Sequence, residues 1–552
     1  MKHLLITVAA ATLLVACNNK NAEETVEGAG TAAVDSAERA LKDLGTITLR
    51  SGDASEASTA LAAMNLAESG TGRAAFGEVS QDGDGAVFSN VMIEIPGDSD
   101  DPDDEGATMV IGTMELDGLD MVDGQASFSK LSLSNIQIEP HDAEAAANGD
   151  LTIAGIELLN PSPALAAWVA SLNGSGDPAE FPPIEEVSFD SWSLSNLDLA
   201  FNDDGDMGNF LIDSIQLAGV EDSKVSVAKL SSLSLSGQSE DDDPFTASLG
   251  SISITGAALD LLASGLEEGF ESDEDFAASL MASMYDNPME PGYDTFSLEA
   301  LDFQMGGVSF DVPIYATTVD RNSDGVAVGG VTAPFTATLS ADPEGGESGA
   351  ELAGALGMMG YETLVISGAG KSSFDPETDT VQFSAADNYL TLADGFTIRY
   401  GGDMTGFSDY MEQLQALDFE AMDTGSSANE KVMQQAMSAL SLNQFTLSLE
   451  DDSIIDRAIN LYAAQSGEDP DAVRQQATFG AAMLPMMAAQ TGIDPAIATD
   501  LSTGLTSLLQ NSGTLTISLS PQTPLSAETF ADIEDPSIIT KDLLGLSVTH
   551  EE

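Results

Sequence analysis

Phe128-Ser129-Lys130-Leu131-Ser132-Leu133-Ser134-Asn135-Ile136-Gln137-Ile138 alternates apolar and polar residues, loses phase by one place at Ser134-Asn135, and resumes. Phe189-Asp190-Ser191-Trp192-Ser193-Leu194-Ser195-Asn196-Leu197-Asp198-Leu199 matches it position for position 61 residues later, with the slip at Ser195-Asn196. A period of two is the mark of a strand with one buried face. A one-residue slip sends the apolar set to the other face unless a bulge or tight bend absorbs it, and Ser-Asn suits such a bend. Each segment is therefore expected to be a strand, a corner and a strand. Looser copies at residues 233–237, 249–256 and 440–447 extend the pattern. The expected fold class is mainly β with inserted helices: an elongated, repetitive antiparallel β-sheet, unit on unit, with helical segments near the C-terminus.

The punctuation agrees. Asp82-Gly83-Asp84-Gly85, Asn202-Asp203-Asp204-Gly205-Asp206 and Asp320-Arg321-Asn322-Ser323-Asp324-Gly325 stand between alternating runs, where hairpin loops belong. Acid-rich loops at 98–105 and 240–244 read as solvated. Another hairpin is expected over Phe374–Phe383, where Pro376 presets the turn. Helices are expected at 35–44, 56–66, 163–172, 275–285 and 352–359. In the tail, Ser453 is a candidate cap, and Asp469-Pro470 and Asp494-Pro495 each give an acidic N-cap followed by proline at the first helical position. A soft boundary near residue 290 separates two β regions.

Composition excludes several functions. The chain has 92 acidic and 16 basic residues, a formal charge of −76. Such a field repels nucleic acid and anionic head groups, so no nucleic-acid partner is expected. With 43% hydrophobic residues a large core is available. No apolar run beyond the first seventeen residues reaches the roughly 18 expected of a membrane span.

The beginning of the chain is specific. Met1-Lys2-His3 precedes an apolar stretch from Leu4 to Ala16, the pattern of a secretory signal peptide. Leu14-Val15-Ala16-Cys17 resembles the bacterial lipobox, and Cys17 is the chain's single cysteine. The resemblance implies cleavage between Ala16 and Cys17 and a diacylglycerol on the Cys17 thiol. Two or more acyl chains anchor a protein stably, and one does so marginally. The residue after Cys17 is Asn18, not the Asp of the common inner-membrane retention signal. The expected address is the cell envelope, lipid-anchored at the outer membrane, on the periplasmic face more than the surface. Loss of residues 1–16 removes Lys2 and no acid, so 15 basic and 92 acidic residues remain, a formal −77. The expected organisation is a signal peptide over 1–16, a lipidated flexible tether over 17–43, a repetitive β domain over 44–290, and a β domain with C-terminal helices over 291–552.

Catalytic chemistry has little support. The three histidines are His3, His141 and His550, and neither of the latter two sits in a nucleophile motif. No phosphate loop or dinucleotide fingerprint stands in context. Carboxylate pairs are inevitable among 92 acids and so identify no glycosidase. The tryptophans, Trp168 and Trp192, are few for a carbohydrate platform, and Trp192 reads as core. No cofactor is expected. Calcium is the one metal considered: Asp320, Asn322 and Asp324 occupy positions 1, 3 and 5 of an EF-type loop with Gly325 at 6, but position 12 is Val331 rather than a bidentate Glu. An acidic hairpin turn is the competing reading. The methionine groups Met281/Met284, Met358/Met359 and Met483/Met486/Met487 read as core filling at helical spacing, with an adaptable lipid-facing surface as the alternative.

Over about residues 110–450 the "LSLSN"-like strands, the hairpins and the helical tail resemble periplasmic proteins of the AsmA and YdgA type. Those families are built on long curved sheets, and some relatives handle lipid in hydrophobic grooves. The resemblance has no diagnostic residue and carries no site. It implies a non-enzymatic envelope lipoprotein, held to the membrane by its N-terminal lipid, that binds lipid or an envelope protein along a sheet face. A purely structural or surface lipoprotein is the alternative, and a carboxylate-dependent hydrolase a third.

Overall fold

A computed structural model describes residues 26–95, 106–141, 149–175, 179–203, 206–238, 244–259, 292–414, 432, 435–491, 494–526 and 538–552. Ala16, Cys17, the helix expected at 275–285 and most of the two acid-rich loops lie outside them. Strand accounts for 50% of the described residues and helix for 26%, so the protein is mainly β as its alternation required. The chain forms two compact units, one of Val34–Ser264 with Tyr293–Gly306, the other including Gly307–Glu552.

In the first unit the strands are β1 (Ala74–Ala75), β2 (Glu78–Asp82), β3 (Gly85–Ile95), β4 (Ala107–Asp117), β5 (Asp120–Val122), β6 (Gln125–Ser127), β7 (Lys130–Pro140), β8 (Gly149–Leu159), β9 (Phe189–Asp203), β10 (Asp206–Glu221), β11 (Lys224–Gln238), β12 (Pro244–Ala258) and β13 (Thr295–Met305). The nine long strands pair antiparallel in chain order, β3–β4–β7–β8–β9–β10–β11–β12–β13. Strand β13, beyond the boundary expected near 290, pairs with β12 and belongs to this unit.

The phase slip is resolved differently from expectation. β7 and β9 run straight through Asn135 and Asn196 as single strands with no corner. Asn135 takes φ +55° and Asn196 φ +45°, in the left-handed region. The same conformation occurs at Asn90, Ser232 and Ala300, on every second strand. Register is unchanged on either side: Thr113 faces Ser134 and Ile111 faces Ile136. Gly112, Ala154, Asp213 and Gly250 fill the intervening strands, so one continuous row of irregular positions crosses the sheet. A left-handed residue shifts the side-chain phase without inserting a residue. Leu131 and Leu133 before the slip, and Ile136 and Ile138 after it, therefore all join one core. The neighbour must yield space: a Cβ on Gly112 would lie 3.1 Å from Asn135 Cβ.

That core packs Phe88, Val91, Ile111 and Ile136 against two helices, Ala57–Ala63 through Ala60 and Leu61, and Pro163–Ser171 through Leu165 and Ala166. Ser162 caps the second helix by accepting from the Leu165 N–H, with Pro163 in its first turn. A further helix, Val26–Asp43, starts earlier than expected. Its Ala37 is buried and Ser36 Oγ lies 2.7 Å from Thr295 Oγ1. This part of the segment expected to be a flexible tether is thus folded and docked, because its small residues bring a helix face close to the sheet.

The second unit holds β14 (Val308–Arg321), β15 (Ala327–Ala341), β16 (Thr363–Asp375), β17 (Thr380–Phe383), β18 (Tyr389–Leu392), β19 (Phe396–Thr405), β20 (Ser441–Asp451), β21 (Gly513–Leu519), β22 (Leu525–Ser526) and β23 (Leu546–Glu551). They too pair antiparallel, and the hairpin expected at 374–383 is β16–β17. Helices Ile454–Ser466, Pro470–Ala482, Leu484–Thr491 and Pro495–Asn511 lie between β20 and β21. Asp469 and Asp494 cap as expected, accepting from the N–H of Asp471 and Ala496. Ser453 does not: its hydroxyl donates to the Asp394 carbonyl, and Asp451 accepts the Ile455 N–H instead.

Candidate functional site

Two cavities, one in each unit, stand out by contrast of lining. The first, of about 130 Å³, lies between the apolar sheet face and the end of helix Pro163–Ser171. Met109, Met114, Leu131 and Leu133 rise from the sheet, and Val169 and Leu172 close it from the helical side. Of its thirteen lining residues only Asn173 is polar. The sequence pattern predicted this face through Leu131 and Leu133, and the cover through the helix at 163–172. Trp192 and Leu194, at the matching positions of the second repeat, lie against or within the packed interior.

Beside this core, Lys130 Nζ lies 2.9 Å from Glu115 Oε2 and 3.7 Å from Asp117. Burial pulls the Lys130 amine down, but Glu115, Asp117 and Glu157 outweigh it and the net shift is upward. Asp117 is pushed up, by burial first and by the Glu115 charge next. The cluster is a partly screened surface group on a sheet with few cations.

The second cavity, of about 460 Å³, is polar and lies in the second unit. Its cause is a break in strand pairing. β16 pairs with β17 over residues 372–375 and with β18 over 366–369, and the link between them runs over β19. Asn388, fully buried, holds the break: its Oδ1 accepts from Lys371 N at 3.0 Å, and its Nδ2 donates to Lys371 O at 2.7 Å and Ser384 O at 2.8 Å. Ser373, Gln382, Asp403 and Gln444 stand in register across four strands. Asp403 accepts from Gln382 Nε2 at 3.0 Å and Asn443 Nδ2 at 2.7 Å, so both its oxygens are engaged. Sequence reading missed this site, since its residues are spread over 371–446 without a motif. The signal was Gly401-Gly402 inside an alternating strand, a mark of close approach.

The other candidates disperse. Asp320 lies in β14, whereas Asn322 Oδ1 accepts the N–H groups of Asp324 and Val326 and is committed to the turn, which Gly325 closes at φ +81°. Arg321 donates to the Gly325 carbonyl at 3.0 Å. Among the described residues no three His, Cys, Asp or Glu side chains group as a metal site. His141 contacts Thr108 and Glu94. His550 Nδ1 lies 2.9 Å from Ser507 Oγ and its Nε2 2.5 Å from the Ser512 carbonyl. Ser507 sits within helix Pro495–Asn511, where amides are spent inside the helix and offer no oxyanion donors. Trp168 stacks edge-on against Phe181 at 5.0 Å. Met358, Met486 and Met487 are 65%, 52% and 58% exposed, which corrects their assignment to the core: their helices bury Leu356 and Ala488 instead. Met281 and Met284 lie outside the described residues.

Among the described residues no helix is long and apolar enough to cross a membrane. A comparison with curated proteins finds no match to the chain. A family model whose description reads "Uncharacterized protein" matches residues 389–551, a stretch similar to that family which takes in β19 and β20 of the polar cleft and the helical segment that follows.

Proposed function

We propose that the protein is a non-enzymatic envelope lipoprotein, anchored through Cys17 at the outer membrane on its periplasmic side, whose first unit receives the apolar end of a lipid chain. The observation that carries this reading is the cavity with twelve apolar lining residues and one asparagine. Its 130 Å³ is room for about four methylene-sized groups at roughly 30 Å³ each. Their burial is worth about 3 kcal/mol at ~0.8 kcal/mol per methylene. A site that weak is filled only where chain ends are present at about millimolar effective concentration, which a membrane tether supplies. The lipobox-like Leu14–Cys17 run and the weak cavity thus support one another.

The purely structural alternative draws on the fully buried Phe88, Val91 and Ile111, which leave most of the sheet face packed. The two readings separate in an assay with a fluorescent fatty acid carried in vesicles to which the lipidated chain is anchored, where the tether supplies the millimolar concentration the cavity needs. Saturable binding that Ala170→Phe abolishes, by filling the cavity, supports lipid reception. Equal signal from both proteins, or none from either, favours the structural reading.

A further inference from the structure

The geometry points to a saccharide-binding site in the polar cleft of the second unit, taking one hexose or N-acetylhexosamine ring. The cleft lies on a sheet face rather than an edge, so backbone donors are already paired and recognition falls to side chains. Two adjacent rows of one face supply it. Ser373, Gln382, Asp403 and Gln444 form the first, in register across β16, β17, β19 and β20, and the second sets the paired Gly401 and Thr446 beside Lys371 and Ser384, which flank the break in pairing. Gly401 lets the link between β17 and β18 cross close over β19 and wall the cleft: a Cβ there would meet the Ala385 N at 2.7 Å. The depression is therefore a product of the glycine, the Asn388-held break and the tall polar side chains around it.

The lining chemistry selects the class of ligand. A carboxylate accepts only, an ammonium donates only, and amides and hydroxyls do both. Asp387, Asp403, Lys371, two glutamines and several hydroxyls thus present mixed donors and acceptors with little net charge. That mixture matches a neutral polyol, each of whose hydroxyls donates and accepts. An anion would face Asp387 and Asp403, and an apolar chain would meet polar side chains everywhere but at Phe383 and Ala385. The cavity of about 460 Å³ falls within the usual range for small-ligand sites of about 300–1,000 Å³ and holds about fifteen water-sized groups, the size of a single sugar ring. Both oxygens of Asp403 are already held by amides, which fixes the carboxylate as an acceptor wall and gives it no acid–base task.

The test is isothermal titration of the full soluble chain with glucose, N-acetylglucosamine and inorganic phosphate, alongside Gln444→Ala, Asp387→Asn and Thr446→Trp. Far-UV circular dichroism checks that each variant is folded. Gln444 is exposed and Asp387 half-buried in the link outside the strands, so their substitution leaves the sheet intact. The expected result is saturable binding of at least one sugar, weakened several-fold by Gln444→Ala and by Asp387→Asn and abolished by Thr446→Trp. No saturable sugar binding, binding of phosphate in place of sugar, or sugar binding unchanged in all three folded variants overturns the assignment. The fatty-acid assay reads a different unit, so failure of one site leaves the other standing.

Discussion

Asn135→Val strikes the row of left-handed residues in the middle of the first sheet. Asn135 is exposed, so the change removes no core contact and isolates the backbone term. At φ +55° an ordinary L-residue is destabilised by about 1–2 kcal/mol. Asparagine relieves part of this by local hydrogen bonding, whereas a β-branched side chain aggravates it. Asn135→Val is expected to lose about 2 kcal/mol. Asn135→Gly removes the steric strain but adds roughly 0.5–1 kcal/mol of unfolded-chain entropy, so it should fall close to wild type. Gly112→Ala should also destabilise, because its Cβ would sit 3.1 Å from Asn135 Cβ and 3.3 Å from the Ser134 carbonyl, and Asn135→Gly should relieve part of that loss. Both tryptophans of the chain, Trp168 and Trp192, belong to this unit. Tryptophan fluorescence during urea unfolding therefore reports on it alone in the intact protein. With a slope of about 3 kcal/mol per molar urea, the valine variant shifts the midpoint down by about 0.7 M. A valine variant that unfolds with wild type, beside a destabilised glycine variant, would show that Asn135 is not held in the left-handed region and would refute the account of the slip.

Ala300→Gly should stabilise the same unit slightly, since relief of a left-handed alanine, about 1–2 kcal/mol, exceeds the glycine entropy of roughly 0.5–1 kcal/mol; a lower urea midpoint speaks against it. Asp494→Ala should lower the thermal midpoint of the second unit followed by circular dichroism. Hydrogen bonds from the Lys541 and Ala496 N–H groups hold Asp494 below its ordinary value near 3.8. Its contribution is therefore present above that value and lost as pH falls through the folded one, and the difference from wild type should close in strong acid. Asp117→Asn should do the reverse: burial raises Asp117, so its ionisation lowers stability as pH rises through the folded value. The variant should melt higher at neutral pH and alike in acid. Cys17→Ser should abolish metabolic labelling by fatty acid, and undiminished label would remove the anchor from the proposal.

The sequence located the slip at Ser134-Asn135 and Ser195-Asn196 but not its geometry. Alternation reports which face a side chain takes, and a corner, a bulge and a left-handed residue all shift that phase by one. Asparagine at the slip was the clue, as the side chain that best tolerates φ above zero. Helix starts at Asp469-Pro470 and Asp494-Pro495 were legible because cap and proline are local chemistry. Ser453 was not, because its hydroxyl is drawn away to the Asp394 carbonyl in the turn between β18 and β19, and Asp451 at the end of β20 takes the helix-start amide. The apolar cavity followed from Leu131, Leu133 and the helix that covers them. The polar cleft gathers residues up to 75 positions apart, from Lys371 to Thr446, and no local pattern encodes such a meeting.

The order of the nine long strands in the first unit has a kinetic consequence. Spatial order equals chain order, so every pairing joins consecutive long strands and little of the sheet waits for a distant segment. Most pairings join strands adjacent in the chain, although longer connections precede β9 and β13, and topologies built on neighbouring contacts fold faster than those built on remote ones. A chain delivered from its N-terminus can lay down β3 and β4, then add each new strand to the edge just made, without storing unpaired segments. The growing edge is the exposed element at every stage, while the starting edge is already covered by β1 and β2, the latter exposed along its length and carrying Glu78 and Asp82, charges that discourage a foreign strand from joining there.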